Sequence, residues 1–318
     1  MAVRGVLFGM LLLLMGMSCT QTGLFFDSDL YAISAVWGGG CLLILAVCIR
    51  DSRRMEMIRN HLCWSGSYPL MGLSILMIGI YSVHACTGPV SMEGTLQEWI
   101  SWSLYGSAGL AAWLLGGEAR GRQLVMCLWH AAGVLLCGSA LLAVYGLLDL
   151  PHVVMRVADP AVSASGARLG GLLQYPNTFG AVMAAFLLER LFALPAALRR
   201  RAGRLRAAAA LLPLAPYTAA LLLTESRGAW LAAALACAAG LAAERRCAAL
   251  LLAACAAPVA SAALLYGQLT EVQLAPAVLP GLLWLAGLWA GGVIAGQWMA
   301  RAAGSGLGLA AAGRARMR

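Results

Sequence analysis

Residues 124–148 read LVMCLWHAAGVLLCGSALLAVYGLL, a run without acid, arginine or proline, preceded by Arg120 and Arg122 and closed by Asp149. A helix needs about 20 apolar residues to cross the hydrocarbon core of a bilayer. This run therefore predicts a membrane span with basic residues at its entry. Similar runs recur at 5–25, 30–49, 68–85, 99–116, 173–194, 207–224, 228–243, 247–266 and 278–299. Across all 318 residues, 62% are hydrophobic and 11% charged, against about 25% charged in soluble domains. The expected fold is all-α, a polytopic transmembrane helical bundle of about ten spans forming a single integral membrane domain over 1–318. Helices of the N-terminal part occupy 1–150, a motif-rich region 165–235, further helices 245–300 and a basic tail 301–318.

All 22 basic residues are arginine, and the formal net charge is +9. If Arg4 is cytoplasmic and the spans alternate, every other arginine except Arg156, Arg168 and Arg227 also falls inside. The outer connections carry Asp27, Asp29, Glu93, Glu98, Asp149, Asp159, Glu225 and Glu271. This is the positive-inside pattern, and it places both termini in the cytoplasm. A missed or invented span would invert every later loop. Merging 207–224 with 228–243, for example, would move Glu244, Arg245 and Arg246 outside. Charge in short loops serves orientation against an anionic leaflet, which removes nucleic acid as a partner and leaves the lipid bilayer.

Ten cysteines show no CxxC pair. Cys41, Cys48, Cys127, Cys137, Cys237 and Cys255 lie in apolar runs and read as small buried hydrophobes. Cys19 and Cys86 fall on one side, so a disulfide between them stays open. Neither a metal site nor a cofactor is expected. The start, MAVRGVLFGMLLLLMGMSC, has the form of a signal sequence with Cys19 as a lipidation position. However, Gly16 stands where a lipoprotein signal carries leucine, and the run also suits a retained span; either choice leaves the later topology unchanged.

Pro176, Pro213, Pro216 and Pro258 are expected to interrupt helices, which is tolerated where the freed backbone groups find partners. Small residues crowd LAAALACAAGLAA and AACAAPVASAA and permit close packing. No internal repeat is present. The longest outer connection, DLPHVVMRVADPAVSASGARLGG at 149–171, reads as a loop or partly re-entrant segment. It runs into QYPNTFGA, where Asn177 and Thr178 after Pro176 suggest a broken or capped helix start.

Arg168 and Arg227 each border an apolar segment on the side that otherwise lacks arginine. An arginine at the centre of a membrane helix costs roughly 2.5–3.5 kcal/mol, so one kept beside the hydrocarbon marks a functional site. Ser226 can cap the helix that follows, leaving N–H groups and a positive dipole end beside Arg227 and Gly228. Together with a guanidinium this forms an anion site, and the fork of arginine matches phosphate. The plainer alternative has each arginine reaching headgroups or pairing with Glu225 or Asp159.

The blocks RLGGLLQYPNTFGAVMAAFLL and LLLTESRGAWLAAALA resemble the paired signature of the O-antigen ligase and O-antigen polymerase superfamily, over roughly residues 165–235. There an Arg-x-x-Gly element precedes a Pro-Asn helix start, and a Ser-Arg-Gly element follows one hairpin later. The resemblance implies a metal-independent glycosyltransferase in the bacterial plasma membrane. Its donor would be a glycan on undecaprenyl pyrophosphate at the outer face, and its acceptor a lipid, glycan or protein hydroxyl left unspecified. Arg168 and Arg227 would hold the pyrophosphate and stabilise its departure; Asn177, Ser226 and Gly228 would contribute to substrate binding.

The chain departs from that family after the Ser-Arg-Gly helices. Members carry a large outer loop there with a catalytic histidine, whereas this chain has only YGQLTEVQLAPAVLPG, without histidine. The expectation therefore includes a shortened or inactive transferase. His61 and His130 read as structural, while His152, His84 and Glu225 are the base candidates, with His152 and Glu225 nearest the motif region. The alternative class is a non-catalytic membrane protein that binds or transports a polyprenyl phosphate or other anionic lipid. A secondary transporter ranks below both, because most charges sit at helix ends rather than deep in several spans.

Overall fold

The computed structural model describes residues 2–24, 26–50, 68–198 and 204–316. Arg53, Arg54, Arg59, His61, Arg199, Arg200, Arg201 and Arg318 lie outside the described residues. The helices are α1 (Ala2–Thr20), α2 (Asp27–Arg50), α3 (Tyr68–Cys86), α4 (Met92–Gly116), α5 (Ala119–Val144), α6 (Pro176–Ala197), α7 (Arg204–Leu211), α8 (Leu214–Leu223), α9 (Arg227–Ala243), α10 (Arg245–Glu271) and α11 (Val278–Arg316). Two short strands, β1 (Val154–Arg156) and β2 (Ala167–Leu169), stand between α5 and α6.

Among the described residues seven helical stretches are long and apolar enough to cross a membrane: Val3–Thr20, Asp27–Ala46, Ala119–Val144, Pro176–Ala197, Leu205–Leu223, Arg245–Glu271 and Val278–Ala303. Gly72–Cys86 and Arg227–Ala243 are shorter apolar helices. The chain is thus a helical, multi-pass membrane protein by the length and composition of its helices. α4 begins at Met92, seven residues before the apolar run at 99–116, because Ser91 caps it by accepting the Gly94 N–H at 3.1 Å. Glu93 and Glu98, expected in a loop, therefore sit in its first turns, where carboxylates suit the helix dipole.

The chain forms two compact units, 1–132 and 133–318. In the first, Leu7, Leu11, Leu30, Ile33, Trp37, Leu104 and Leu115 make the core. Trp37 Nε1 donates to Ser107 Oγ at 2.8 Å, and Arg4 pairs with Glu118 at 2.6 Å. Cys19 and Cys86 are both free thiols, so no disulfide joins them.

In the second unit Leu191, Leu194, Leu211, Leu214, Leu251 and Val293 form a core shared by α6, α7, α8, α10 and α11. Gly292 and Gly296 of α11 lie against Ala254, Pro258 and Ser261 of α10, the close approach that small residues permit. The expected interruption at Pro258 does not occur: α10 continues through it, although proline removes one ladder hydrogen bond. Pro213 and Pro176 do mark helix boundaries, whereas Pro216 interrupts nothing. Pro213 separates α7 from α8, Pro216 lies in the first turn of α8, and Pro176 opens α6.

Candidate functional site

The connection expected to be a loop or re-entrant segment is a β-hairpin. β1 and β2 pair antiparallel with Met155 opposite Arg168, and all of β2 is buried. Ser165 Oγ donates to Ala167 O at 2.9 Å. The Gly170 and Gly171 N–H groups both donate to Val153 O, at 2.8 and 3.1 Å, which closes the hairpin base. Gly171 is required there twice over. Its φ is 58°, and a Cβ would meet the Phe179 ring at 2.5 Å. The chain then turns through Gly171–Leu173, passes Gln174 in the left-handed region and enters α6 at Pro176.

Arg168 joins the two sequence blocks. Its residue is 7% exposed. Nε donates to Thr224 O and Nη2 to Asn177 Oδ1, both at 2.8 Å. Thr224 ends α8 and is fully buried, with its hydroxyl accepting the Ser226 N–H at 3.2 Å. Ser226 then caps α9, accepting the Ala229 N–H at 3.3 Å as its sequence position predicts. Asn177, by contrast, is not a cap. The N-cap of α6 is Tyr175, which makes no side-chain cap bond, and Asn177 lies in the first turn facing the guanidinium. α6 can approach α9 this closely because residue 180 is glycine: a Cβ there would meet Thr224 Oγ1 at 2.9 Å and Ala229 Cβ at 3.0 Å.

The first turn of α6, through Asn177, and the C-cap of α8, through the Thr224 carbonyl, meet at one buried guanidinium, and α9 begins three residues beyond Thr224. The first-turn residues Asn177, Thr178, Arg227 and Gly228 are all exposed, and helical N–H groups at these positions have no partner within their own helix. Each N-terminus carries roughly half a positive charge, while the Thr224 carbonyl that Arg168 bonds belongs to the negative, C-terminal end of α8. Gly228 has open space around its α-carbon.

No carboxylate pairs with Arg168 or Arg227 among the described residues, so the plain ion-pair alternative is not what holds them. Arg227 is exposed and its Nη2 donates to Ala161 O at 2.9 Å. Asp159 Oδ1 accepts the Ala161 N–H at 2.8 Å. Glu225 is 8% exposed. Its Oε2 accepts the Ala164 N–H at 2.9 Å and its Oε1 the Tyr266 hydroxyl at 3.3 Å. The carboxylate thus clamps the hairpin tip to α10. His152 is exposed on the hairpin approach and makes no side-chain hydrogen bond among the described residues, so the network does not include it. No group of three or more His, Cys, Asp or Glu is gathered to hold a metal among the described residues.

Sequence reasoning missed Thr224, Ala164, Tyr266 and Tyr175. Two of them act through backbone atoms, which no residue pattern announces. Strain offers a further mark of the site. Non-glycine residues in the left-handed region are Thr22, Leu24, His152, Gln174, Glu225, Gln273 and Leu274, and the last five lie on the segments that border this site. Arg156 reaches Gln273 O, which brings 273–274 to the hairpin. Such residues cost about 1–3 kcal/mol each and persist where the surroundings hold them.

No family model, curated protein or solved structure matches the chain.

Proposed function

We propose that the protein binds an undecaprenyl-pyrophosphate-linked glycan and acts as an O-antigen ligase-like glycan transferase at the outer face of the bacterial plasma membrane. One observation carries this reading. Arg168 is buried, has no carboxylate partner among the described residues, and lies between the first turn of α6 and the Thr224 carbonyl at the end of α8. A buried charge without a counter-ion costs several kcal/mol. An anionic ligand offsets that cost, and a pyrophosphate presents several oxygens to the fork of a guanidinium.

In this reading ten spans carry the chain across the membrane with both termini cytoplasmic, as the arginine distribution requires. Transfer breaks the bond between the first sugar carbon and the pyrophosphate oxygen. An acceptor hydroxyl oxygen forms the new bond to that carbon, its proton passes to a base, and the undecaprenyl pyrophosphate departs. Arg168 and Arg227 stabilise the charge that grows on the leaving oxygen.

The second reading is carrier binding without transfer. The occupied carboxylate favours it: both Glu225 oxygens already accept hydrogen bonds, and His152 is outside the network. Proteoliposomes separate the two. Binding of undecaprenyl pyrophosphate and transfer from a glycan-loaded carrier are measured on the full chain and on Arg168→Ala and Arg227→Ala. Loss of both signals in the variants supports the transferase, and binding that depends on the arginines without any transfer supports the second reading. Wild-type signals in both variants overturn the assignment.

A further inference from the structure

The residue that leads into α6 is turned outward by its backbone. Gln174 takes a left-handed conformation, φ 55°, and Tyr175 follows with φ −127° and ψ 106° before Pro176 begins the helix. A residue with a β-carbon accepts the left-handed region only where its surroundings hold it there. The consequence is that Tyr175, at the N-cap, leaves 52% of its surface exposed and does not cap the helix.

Its hydroxyl is nevertheless fixed. Asn177 Nδ2 donates to Tyr175 Oη at 3.3 Å, and Asn177 Oδ1 accepts from Arg168 Nη2 at 2.8 Å. The phenol is thus two hydrogen bonds from the buried guanidinium. Because its oxygen accepts from Asn177, its own proton remains free to donate.

We infer that Tyr175 is the glycan-side recognition residue of the Arg168 site, its ring forming a platform for the sugar attached directly to the pyrophosphate. This rests on the carrier-binding reading above. In a glycosyl pyrophosphate the first sugar is bonded to a phosphate oxygen, so it lies within one residue's reach of whatever holds the phosphate. The face of a phenol ring is negative and meets the polarised C–H face of a pyranose, while its hydroxyl meets a sugar hydroxyl. An exposed tyrosine that only marks the headgroup region would serve any lipid alike. Tyr175 as a platform discriminates by what the carrier bears.

The test uses the full chain in nanodiscs, titrated with bare undecaprenyl pyrophosphate and with undecaprenyl-pyrophosphate-linked N-acetylglucosamine. Wild-type protein is expected to bind the glycosylated carrier about five- to tenfold more tightly than the bare one, the size of one aromatic contact. Tyr175→Ala is expected to lose that preference, weakening for the glycosylated carrier more than for the bare one, while Tyr175→Phe keeps most of it. A wild-type chain that does not prefer the glycosylated carrier overturns the platform, as does a Tyr175→Ala chain that keeps the preference or weakens for both ligands equally. If wild-type protein binds neither ligand, the carrier reading falls and takes the platform with it. Wild-type binding of both, with Tyr175→Ala unchanged, removes the platform alone.

Discussion

Arg168 ties the hairpin to the first turn of α6 and to the end of α8, and in the proposed function it is also the cation offered to the ligand. Nε and Nη2 are engaged by Thr224 O and Asn177 Oδ1, while Nη1 has no hydrogen-bond partner among the described residues. Hydrogen bonds to a charged group are worth about 1.5–3 kcal/mol each. Arg168→Ala is therefore expected to weaken carrier binding by about 10- to 100-fold. Arg168→Lys should recover little of it, since one ammonium does not reproduce a planar fork that bonds in two directions. Equilibrium titration of both variants with undecaprenyl pyrophosphate decides this, and near-wild-type binding by the lysine variant would contradict the role of the fork. Glu225 differs from its sequence reading in a way that mutation separates. A general base cannot be replaced by an amide, whereas the clamp can: the amide oxygen still accepts the Ala164 N–H, and the amide nitrogen donates to the Tyr266 hydroxyl oxygen. Glu225→Gln is accordingly expected to stay folded and keep its binding and whatever transfer the wild type performs. Glu225→Ala should lose about 1–3 kcal/mol of stability by leaving the Ala164 N–H and the Tyr266 hydroxyl unpaired, read as a lower midpoint of thermal unfolding in detergent. Arg168, Asn177 and Ser226 stood out in the sequence because their side chains make the bonds that join these segments. The oxygen of Thr224 and the N–H of Ala164 were not, because every residue except proline offers the same backbone groups.

At the scale of elements, the site exists because α6 presses against the start of α9. That contact depends on a missing side chain at Gly180, where a Cβ would lie 2.9 Å from Thr224 Oγ1. Overpacking of this kind costs about 1–3 kcal/mol. Gly180→Val is expected to lower stability by that amount and to reduce carrier binding, because pushing the helices apart moves Thr224 O away from Arg168. Gly228→Ala serves as the control: the surroundings of that residue are open, so its stability should stay within about 0.5 kcal/mol of wild type. Equal losses in the two variants would show that the close approach is not what matters. The helices were legible as apolar runs, and the start of α9 from the capping chemistry of Ser226, whereas Pro176, read as interrupting a run begun at 173, opens α6 instead. The hairpin was not. Its strands are three residues each, too short for a period of two to register. The uninterrupted α10 was missed for the opposite reason: a proline in the sequence suggests a break, but α10 keeps its course where Pro258 packs against Gly292 and Gly296 of α11.

At the scale of the whole molecule, the arrangement of the second unit and the distribution of arginine make one joint demand. The hairpin, the turn at 224–226 and the segment at 272–277 meet through the bonds from Ala164 to Glu225, from Arg168 to Thr224 and from Arg156 to Gln273. They must therefore lie on one side of any membrane that α6, α8, α9 and α10 cross. The charge count assigns that side to the exterior, since the turn between α9 and α10 carries Glu244, Arg245 and Arg246. A single cysteine placed at Ala158, which is exposed on the hairpin, in a parent whose ten native cysteines are replaced, should react with a membrane-impermeant maleimide in intact cells. One placed at Glu244 should react only after the membrane is opened. The reverse pattern would put the Arg168 site in the cytoplasm, where a glycan carried on the outer leaflet does not reach it. Labelling of both cysteines from outside would mean that α9 does not cross at all, which is a real alternative for a 17-residue helix. In that case the turn at Ser226 would begin an interfacial helix, and Arg227 at its first position would face the headgroups.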